Sequence, residues 1–243
     1  IIMENYRLEG QTFVIDDYDK MPAFSSFLPG LAGVKGIPMW TFYTNRGQGM
    51  NSFGVDNKGN AIMEFNSANT AFENTAVKGF RTFLKIDDEY YEPFFRYEKE
   101  AKRQIRMNKN SFKIIETNEK YGIEVTVNYF ILPNESIGAL IRQVSVKNIS
   151  DAAKEIEVID GLPKIITFGI SNGEFKEMSN LFKSWAFVKN LDKKVPYYTL
   201  RASKDDSAEV SEIEGGYYYL TIRDGKLQDV IYDIDTVFGY DLS

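Results

Sequence analysis

The sequence predicts a mainly β protein, built as a large antiparallel two-sheet β-sandwich with one or two short helices. Short runs rich in Val, Ile, Tyr, Phe and Thr recur along most of the 243 residues, separated by turn residues. Apolar residues at helical spacing are scarce. The clearest runs alternate apolar and polar residues, which gives a strand one buried and one exposed face. That alternation favours stacked antiparallel sheets over a parallel α/β core.

Nine runs are the clearest strand candidates, and two loops between them indicate hairpins. The loop at 118–122 joins the third run to the fourth, and the loop at 133–136 joins the fourth to the fifth, so these strands form an antiparallel meander. The nine runs are 11–15, 39–43, 112–116, 123–131, 139–148, 155–160, 184–189, 197–202 and 217–223.

Three segments depart from the strand pattern. The segment 174–183 is predicted to be a short amphipathic helix, because four apolar residues recur there at helical spacing. The segment 97–110 carries five cations and is compatible with a helix, a loop or a solvated edge strand. The segment 205–235 carries nine carboxylates against two cations and is predicted to be solvated surface.

The amino-acid composition excludes several classes of partner and catalytic site. The chain has 29 Lys and Arg against 35 Asp and Glu, a net charge of −6, which disfavours nucleic acid and anionic membranes as partners. The longest apolar runs fall far below the roughly 18 residues of a membrane span. The absence of cysteine fits a reducing cytoplasm, and the absence of histidine excludes histidine-based triads and zinc sites. Chemistry would have to come from carboxylates, Lys, Tyr or the backbone.

The stretch from Met21 to Arg81 is rich in Gly, Asn and aromatic residues. Two interpretations stay open: a loop face that contacts carbohydrate or a partner, and tight turns over the core. The run 47–52 lacks the third glycine of a dinucleotide fingerprint, so nucleotide binding is unsupported. Trp40 and Trp185 lie in strand-like runs and are predicted to be core residues.

Adjacent carboxylates at 16–17, 87–89 and 205–206 invite a glycosidase hypothesis, since two carboxylates in one cleft can act as acid and base. All three groups lie beside turn residues, where Asp caps the backbone, and that interpretation is favoured.

Seven segments resemble the N-terminal domain of glycoside hydrolase family 94 phosphorylases, of the 1,2-β-oligoglucan and cellobiose phosphorylase type. The resemblance covers roughly residues 13–169 and thins toward the C-terminus. The segments are IDDYDKMPAFSSFLPG at 15–30, GIPMW at 36–40, NRGQG at 45–49, GFRTF at 79–83, YFILPNE at 129–135, RQVSVKN at 142–148 and IDGLP at 159–163.

The sequence has no internal repeat, low-complexity tract or Pro/Gly/Ser linker, which predicts residues 1–243 to be one domain. The resemblance implies a super-sandwich of the aldose mutarotase-like kind and makes this domain the N-terminal fragment of a longer cytoplasmic enzyme. Such enzymes cleave a β-glucoside with inorganic phosphate and invert the anomeric carbon to release α-glucose 1-phosphate. The general acid and the phosphate-binding residues lie in a downstream helical barrel. No catalytic residue and no metal ligand is therefore carried onto this chain, which is expected to be inactive alone.

The implied partners are the helical-barrel catalytic domain, a second copy in a homodimer, and a β-glucan oligosaccharide. No cofactor is expected beyond inorganic phosphate as co-substrate of the full-length enzyme. Four polar residues of the loop-rich stretch are predicted to contact sugar or the neighbouring domain: Arg46, Gln48, Asn51 and Arg81.

Two other functions remain as alternatives. A free-standing carbohydrate-binding module would use an aromatic face built from Tyr90, Tyr91, Tyr217 and Tyr219. A small mutarotase-like enzyme would need a histidine beside its carboxylate, and the chain has none.

Overall fold

A computed structural model describes residues 5–95, 100–201, 208 and 213–241. The acidic pair at 205–206 lies outside these residues. The chain divides into two compact units. Unit 1 comprises Ile1–Asn57 and Phe65–Lys164, and unit 2 comprises Lys58–Glu64 and Ile165–Ser243. The expectation that residues 1–243 act as one domain stays a prediction.

The described chain is rich in strands and has three α-helices. The strands are β1 (Tyr6–Glu9), β2 (Thr12–Asp16), β3 (Ser25–Ala32), β4 (Ile37–Thr44), β5 (Met50–Val55), β6 (Ala61–Met63), β7 (Arg81–Ile86), β8 (Glu89–Tyr91), β9 (Lys102–Met107), β10 (Ser111–Asn118), β11 (Ile123–Ile131), β12 (Leu140–Asn148), β13 (Ile156–Gly161), β14 (Ala186–Lys189), β15 (Tyr197–Leu200), β16 (Tyr217–Tyr218), β17 (Thr221–Arg223) and β18 (Lys226–Gln228). The helices are α1 (Ala68–Lys78), α2 (Asn172–Trp185) and α3 (Asp235–Phe238). Single 3-10 turns lie at Tyr18–Lys20, Lys58–Asn60 and Leu191–Lys193.

The first layer of unit 1 is a six-stranded antiparallel sheet in the order β1-β2-β9-β10-β11-β12. The predicted hairpins at 118–122 and 133–136 are confirmed, because β10 pairs with β11 and β11 with β12. The charged segment 97–110 supplies β9, which lies inside the sheet between β2 and β10. Its Ile105 is fully buried opposite Ile114, so the strand has a true core face despite its charges.

The second layer consists of β3-β4-β5 and of the three strands β13-β7-β8. Buried residues of both layers form one hydrophobic core. The rings of Tyr43 on β4 and Phe112 on β10 stack across that core with centroids 4.3 Å apart. This packing confirms the predicted antiparallel β-sandwich. Core members include Ile15, Leu28, Met50, Leu84, Ile105, Ile114, Val125, Val127 and Tyr129.

Gly49 shows how closely the layers approach. Its backbone has a φ of +81°, which disfavours any residue with a Cβ, and a Cβ at this position would overlap the Phe112 ring. The glycine is therefore required both by conformation and by space.

Helix α1 was not predicted, because its sequence gives almost no amphipathic signal. Only Ala71 and Thr75 are buried, and both are small. The predicted helix at 174–183 is confirmed as α2, which begins two residues earlier and ends two residues later. Ser171 caps it: the Ser171 hydroxyl accepts from Glu174 N, and the Glu174 carboxylate accepts from Ser171 N at 2.8 Å.

Unit 2 contains β6, the sheet β14-β15-β16, the hairpin β17-β18, α2 and α3. Ile166 N donates to Ile62 O at 2.8 Å, which ties the segment 58–64 to the later part of the unit. Helix α2 buries Phe175 and Phe182. Trp185, like Trp40 of unit 1, is half-buried rather than a core residue. Within the described part of the chain, the helices are too short or too polar to cross a membrane.

Candidate functional site

A polar cluster joins four segments of unit 1, and we call it the Arg142 cluster: Gln48, Thr82, Arg142 and Asp160. Gln48 lies in the loop between β4 and β5, and the others lie on β7, β12 and β13. Arg142 points toward the core side of β12, because its partner on β11 is the fully buried Tyr129. Its guanidinium holds the Asp160 carboxylate with two bonds, Nη1 to Oδ2 at 2.6 Å and Nη2 to Oδ1 at 2.9 Å.

The Thr82 hydroxyl is the centre of the cluster. It accepts from Gln48 Nε2 at 2.9 Å and from Arg142 Nη2 at 3.1 Å, and it donates to Asp160 Oδ1 at 2.6 Å. Arg142 also donates to Gln48 Oε1 and stacks over the Phe80 ring at 4.8 Å. Arg142 Nε has no hydrogen-bond partner within the described residues, but the bonds of the other atoms fix these side chains and strands in one arrangement.

Tyr129 lies beneath this cluster and is fully buried. Burial raises the pKa of the Tyr129 phenol from 10.0 to about 12, and the nearby Arg142 guanidinium opposes part of that rise. Its hydroxyl oxygen has no hydrogen-bond partner within the described ranges.

Gln48 and Arg46 are the predicted contact residues in the turn between β4 and β5. Gln48 is buried in the Arg142 cluster. Arg46 is half-buried and donates to the carbonyl oxygens of Asn45 and Met21. The Asn45 side chain, fully buried, bonds the backbone of residues 18, 22 and 24. These contacts support the turn interpretation of this segment.

Asn51 and Arg81, the other two predicted contact residues, are also buried. Asn51 Nδ2 donates to Thr75 Oγ1 at 3.3 Å, which links β5 to α1. Arg81 holds Glu92 through Nε at 2.6 Å and Nη2 at 2.8 Å. The structure thus brings Gln48 into one cluster and places the other three at separate points. Their predicted contact with sugar or another domain stays a prediction.

A second buried charge cluster was missed by sequence reasoning. Glu116 on β10 is completely buried and accepts from Arg103 Nε at 2.5 Å, from Phe94 N at 2.8 Å and from the Tyr91 hydroxyl. Arg103 also binds Asp19 at 2.7 Å. Burial raises the pKa of Glu116, and Arg103 opposes the rise. The available signal was a strand pattern in 102–107 with an arginine in an inward position.

The carboxylate groups at 16–17 and 87–89 lie at the junctions of strands and turns: Asp16 ends β2, Glu89 begins β8, and Asp17 precedes a 3-10 turn without a side-chain capping bond. Asp17, Asp87 and Asp88 all have positive φ, which fits Asp in tight turns. Asp16 is held by Arg7 and by Gln104 Nε2 at 2.7 Å. No group of three carboxylates in the described part of the chain is arranged to hold a metal ion.

Glu116 and Asp160 therefore share one property: each carboxylate is held by an arginine and by further donors. Glu116 is inaccessible to substrate, and Asp160 is engaged through both oxygens. This arrangement stabilises a fold and does not present a free acid to a ligand. In comparisons with known proteins, no family model matches the chain. No curated protein matches it either.

Proposed function

We propose that this chain is the non-catalytic N-terminal β-sandwich domain of an inverting phosphorylase that acts on β-glucans or β-linked disaccharides. The full-length enzyme would convert a β-glucoside and inorganic phosphate to α-glucose 1-phosphate in the cytoplasm. In it, this domain would support the helical-barrel catalytic domain, contribute to dimerisation and border the substrate entrance.

The observation that carries the proposal is the composition of the Arg142 cluster. Four of the seven segments that resemble family 94 phosphorylases each contribute one of its residues: Gln48 from 45–49, Thr82 from 79–83, Arg142 from 142–148 and Asp160 from 159–163. These four residues form one hydrogen-bonded network between strands, in which Gln48 and Thr82 are buried and Asp160 is one-third exposed. A framework domain needs such a network, whereas a catalytic site would leave some of these groups open to substrate.

The state of the carboxylates supports a non-catalytic role. Inverting phosphorolysis needs a carboxylic acid positioned to protonate the leaving oxygen. Glu116 is buried and Asp160 is one-third exposed, and both are held by arginines; Asp16 is held by Arg7. None of these three is presented to a cleft as a free proton donor.

A carbohydrate-binding module is the second candidate, and exposed tyrosines favour it. Tyr90 is 80% exposed in unit 1, and in unit 2 Tyr219 is 41% exposed while Tyr217 is half-buried. Tyr91, which the module hypothesis places on the same sugar platform as Tyr90, is buried and stacks on Tyr121 with centroids 4.5 Å apart. The aromatic platform in unit 1 is thereby reduced to one ring.

The test is a titration of the chain with glucose, cellobiose and a short 1,2-β-glucan, together with phosphate release from glucose 1-phosphate and each sugar acceptor. We expect no binding tighter than about 1 mM, which corresponds to roughly −4 kcal/mol, and no phosphate release. Tighter binding that a Tyr90→Ala variant loses would replace the proposal with the binding module. Phosphate release would overturn the non-catalytic assignment.

A further inference from the structure

The strand β13 has one edge without a partner. It pairs with β7 along its whole length, and no strand of the described chain pairs with its other edge. Asp87 N donates to Glu155 O at 3.0 Å just before the strand begins. Hydrogen-bonded pairs alternate with non-bonded pairs in an antiparallel ladder, so residues 155, 157 and 159 direct their backbone groups to β7. The backbone N–H and C=O groups of Ile156 and Val158 therefore point to the free edge.

The side chain next to this edge is apolar and exposed. Val158 lies opposite Leu84, which is 1% exposed and belongs to the core, so Val158 also faces the interior side of its sheet. Yet Val158 is 53% exposed. Val158 therefore lies uncovered beside the core, and one more strand at this edge would cover it.

The outer face beside the same edge is acidic. Glu155 and Glu157 lie on that face, and together with Asp87 and Asp88 they line an open pocket of about 320 Å³ that also contains Lys85. Lys85 reaches Glu157 at 2.9 Å and Asp88 at 3.5 Å, and Lys154 reaches Asp87 at 3.9 Å. Four carboxylates face two lysines, so the rim keeps an excess of negative charge.

The far end of the edge is closed by the Arg142 cluster. Asp160 points to the core side of β13, like Val158, and is bound there by Arg142 from β12. Inward-pointing charges are one of the devices by which edge strands resist pairing. The open part of the edge is therefore short and centred on residues 155–159.

We propose that this part of β13 binds an extended strand of a partner protein, in which apolar residues that cover Val158 alternate with Lys or Arg residues that face Glu155 and Glu157. Backbone hydrogen bonds along an edge supply affinity in this mode, and alternate side chains supply specificity. The inference rests on charge and on the free edge, and it does not depend on the phosphorylase assignment.

The test uses a fluorescent peptide of sequence Lys-Val-Lys-Val-Lys with blocked ends, and the matched peptide Glu-Val-Glu-Val-Glu. We expect the lysine peptide to bind below about 1 mM at low salt and the glutamate peptide to bind at least tenfold more weakly. The double variant Glu155→Lys, Glu157→Lys is expected to reverse that preference. The control variant Glu73→Lys, Glu135→Lys changes the net charge equally at exposed positions elsewhere and should keep the preference.

Amide hydrogen exchange separates strand pairing from loose charge attraction. Strand pairing is expected to slow exchange at the amides of Ile156 and Val158 when the lysine peptide is present. Three results would overturn the proposal. The lysine peptide does not bind at 1 mM, it binds the Glu155→Lys, Glu157→Lys variant as tightly as the unsubstituted chain, or it binds without protecting these two amides from exchange. None of them bears on sugar binding or phosphate release, so the two proposals fail independently.

Discussion

Replacing Arg142 by methionine tests whether the Arg142 cluster holds the strands of the sandwich together. Methionine keeps most of the length of the side chain and can still contact the Phe80 ring, which lies 4.8 Å from the guanidinium. What is lost is the charge and the donors. Asp160 loses two hydrogen bonds, and Gln48 and Thr82 lose one each.

The expected loss of stability in Arg142→Met follows from how deeply Arg142 and Asp160 are buried. Breaking a fully buried ion pair costs about 3–5 kcal/mol. The Arg142 side chain is 9% exposed, but Asp160 is 34% exposed and regains water once its partner is gone. We therefore expect Arg142→Met to lower the free energy of unfolding of unit 1 by about 2–3 kcal/mol. Asp160→Ala should cost less, and the two changes should couple by about 1–2 kcal/mol.

Urea unfolding followed by tryptophan fluorescence measures this change. Trp40 belongs to unit 1, so the Trp185→Phe background leaves a single reporter there. Lys102→Met is the control, since Lys102 and its partner Glu119 are both more than 70% exposed, and it should leave the midpoint unchanged. A cost of Arg142→Met below about 0.5 kcal/mol, or additive effects of the two changes, would refute the argument.

Three further predictions concern single positions. Gly49→Ala should destabilise unit 1 by about 3 kcal/mol, because the alanine is strained at a left-handed φ and its Cβ overlaps the Phe112 ring. Gly10→Ala, at a φ of +60° but in open space, should cost only about 1 kcal/mol. Equal urea midpoints for these two variants would contradict this prediction. Burial raises the pKa of Tyr129 to about 12 in the folded state, so the stability that comes from keeping this phenol protonated is intact below pH 10 and is lost as pH rises toward 12. Between pH 8 and pH 11 the Tyr129→Phe variant should therefore lose about 1.4 kcal/mol less free energy of unfolding than the unsubstituted chain. Equal losses for the two proteins in urea unfolding would disprove this. Ser171→Ala removes a capping hydrogen bond and should cost about 1 kcal/mol, while Ser67→Ala, at an N-cap with no such bond, should be nearly silent in circular dichroism melts.

Alternation predicted the strands best where one face is buried and the other is wet. In β11 the buried residues Ile123, Val125, Val127 and Tyr129 alternate with partly exposed ones, and the predicted bounds 123–131 match the strand. Helix α1 escaped prediction because a helix that rests on the sheet through Ala71 and Thr75 needs no broad apolar stripe. Its stability comes from contacts that a local pattern does not contain.

The clusters could be predicted only in part, for a different physical reason. Gln48 was singled out by its glycine-rich loop, but its partners lie 34 residues away at Thr82 and 94 residues away at Arg142. Local sequence gives no register between such distant strands. The pattern of residues 102–107 is compatible with an inward-facing Arg103, but only the pairing of β9 with β10 places that arginine beside Glu116.

Unit 2 is built from two segments that lie far apart in the sequence, and this separation affects how the unit folds during synthesis. Residues 58–64 leave the ribosome about a hundred residues before Ile166, whose amide binds Ile62. At 5–20 residues per second, this separation corresponds to a wait of roughly 5–20 s. During synthesis, unit 1 has all its segments by residue 164, whereas unit 2 must recover a piece of chain made long before. Expression of residues 165–243 alone would omit β6, so a gene that fuses residues 58–64 directly to residues 165–243 is the direct route to unit 2 in isolation.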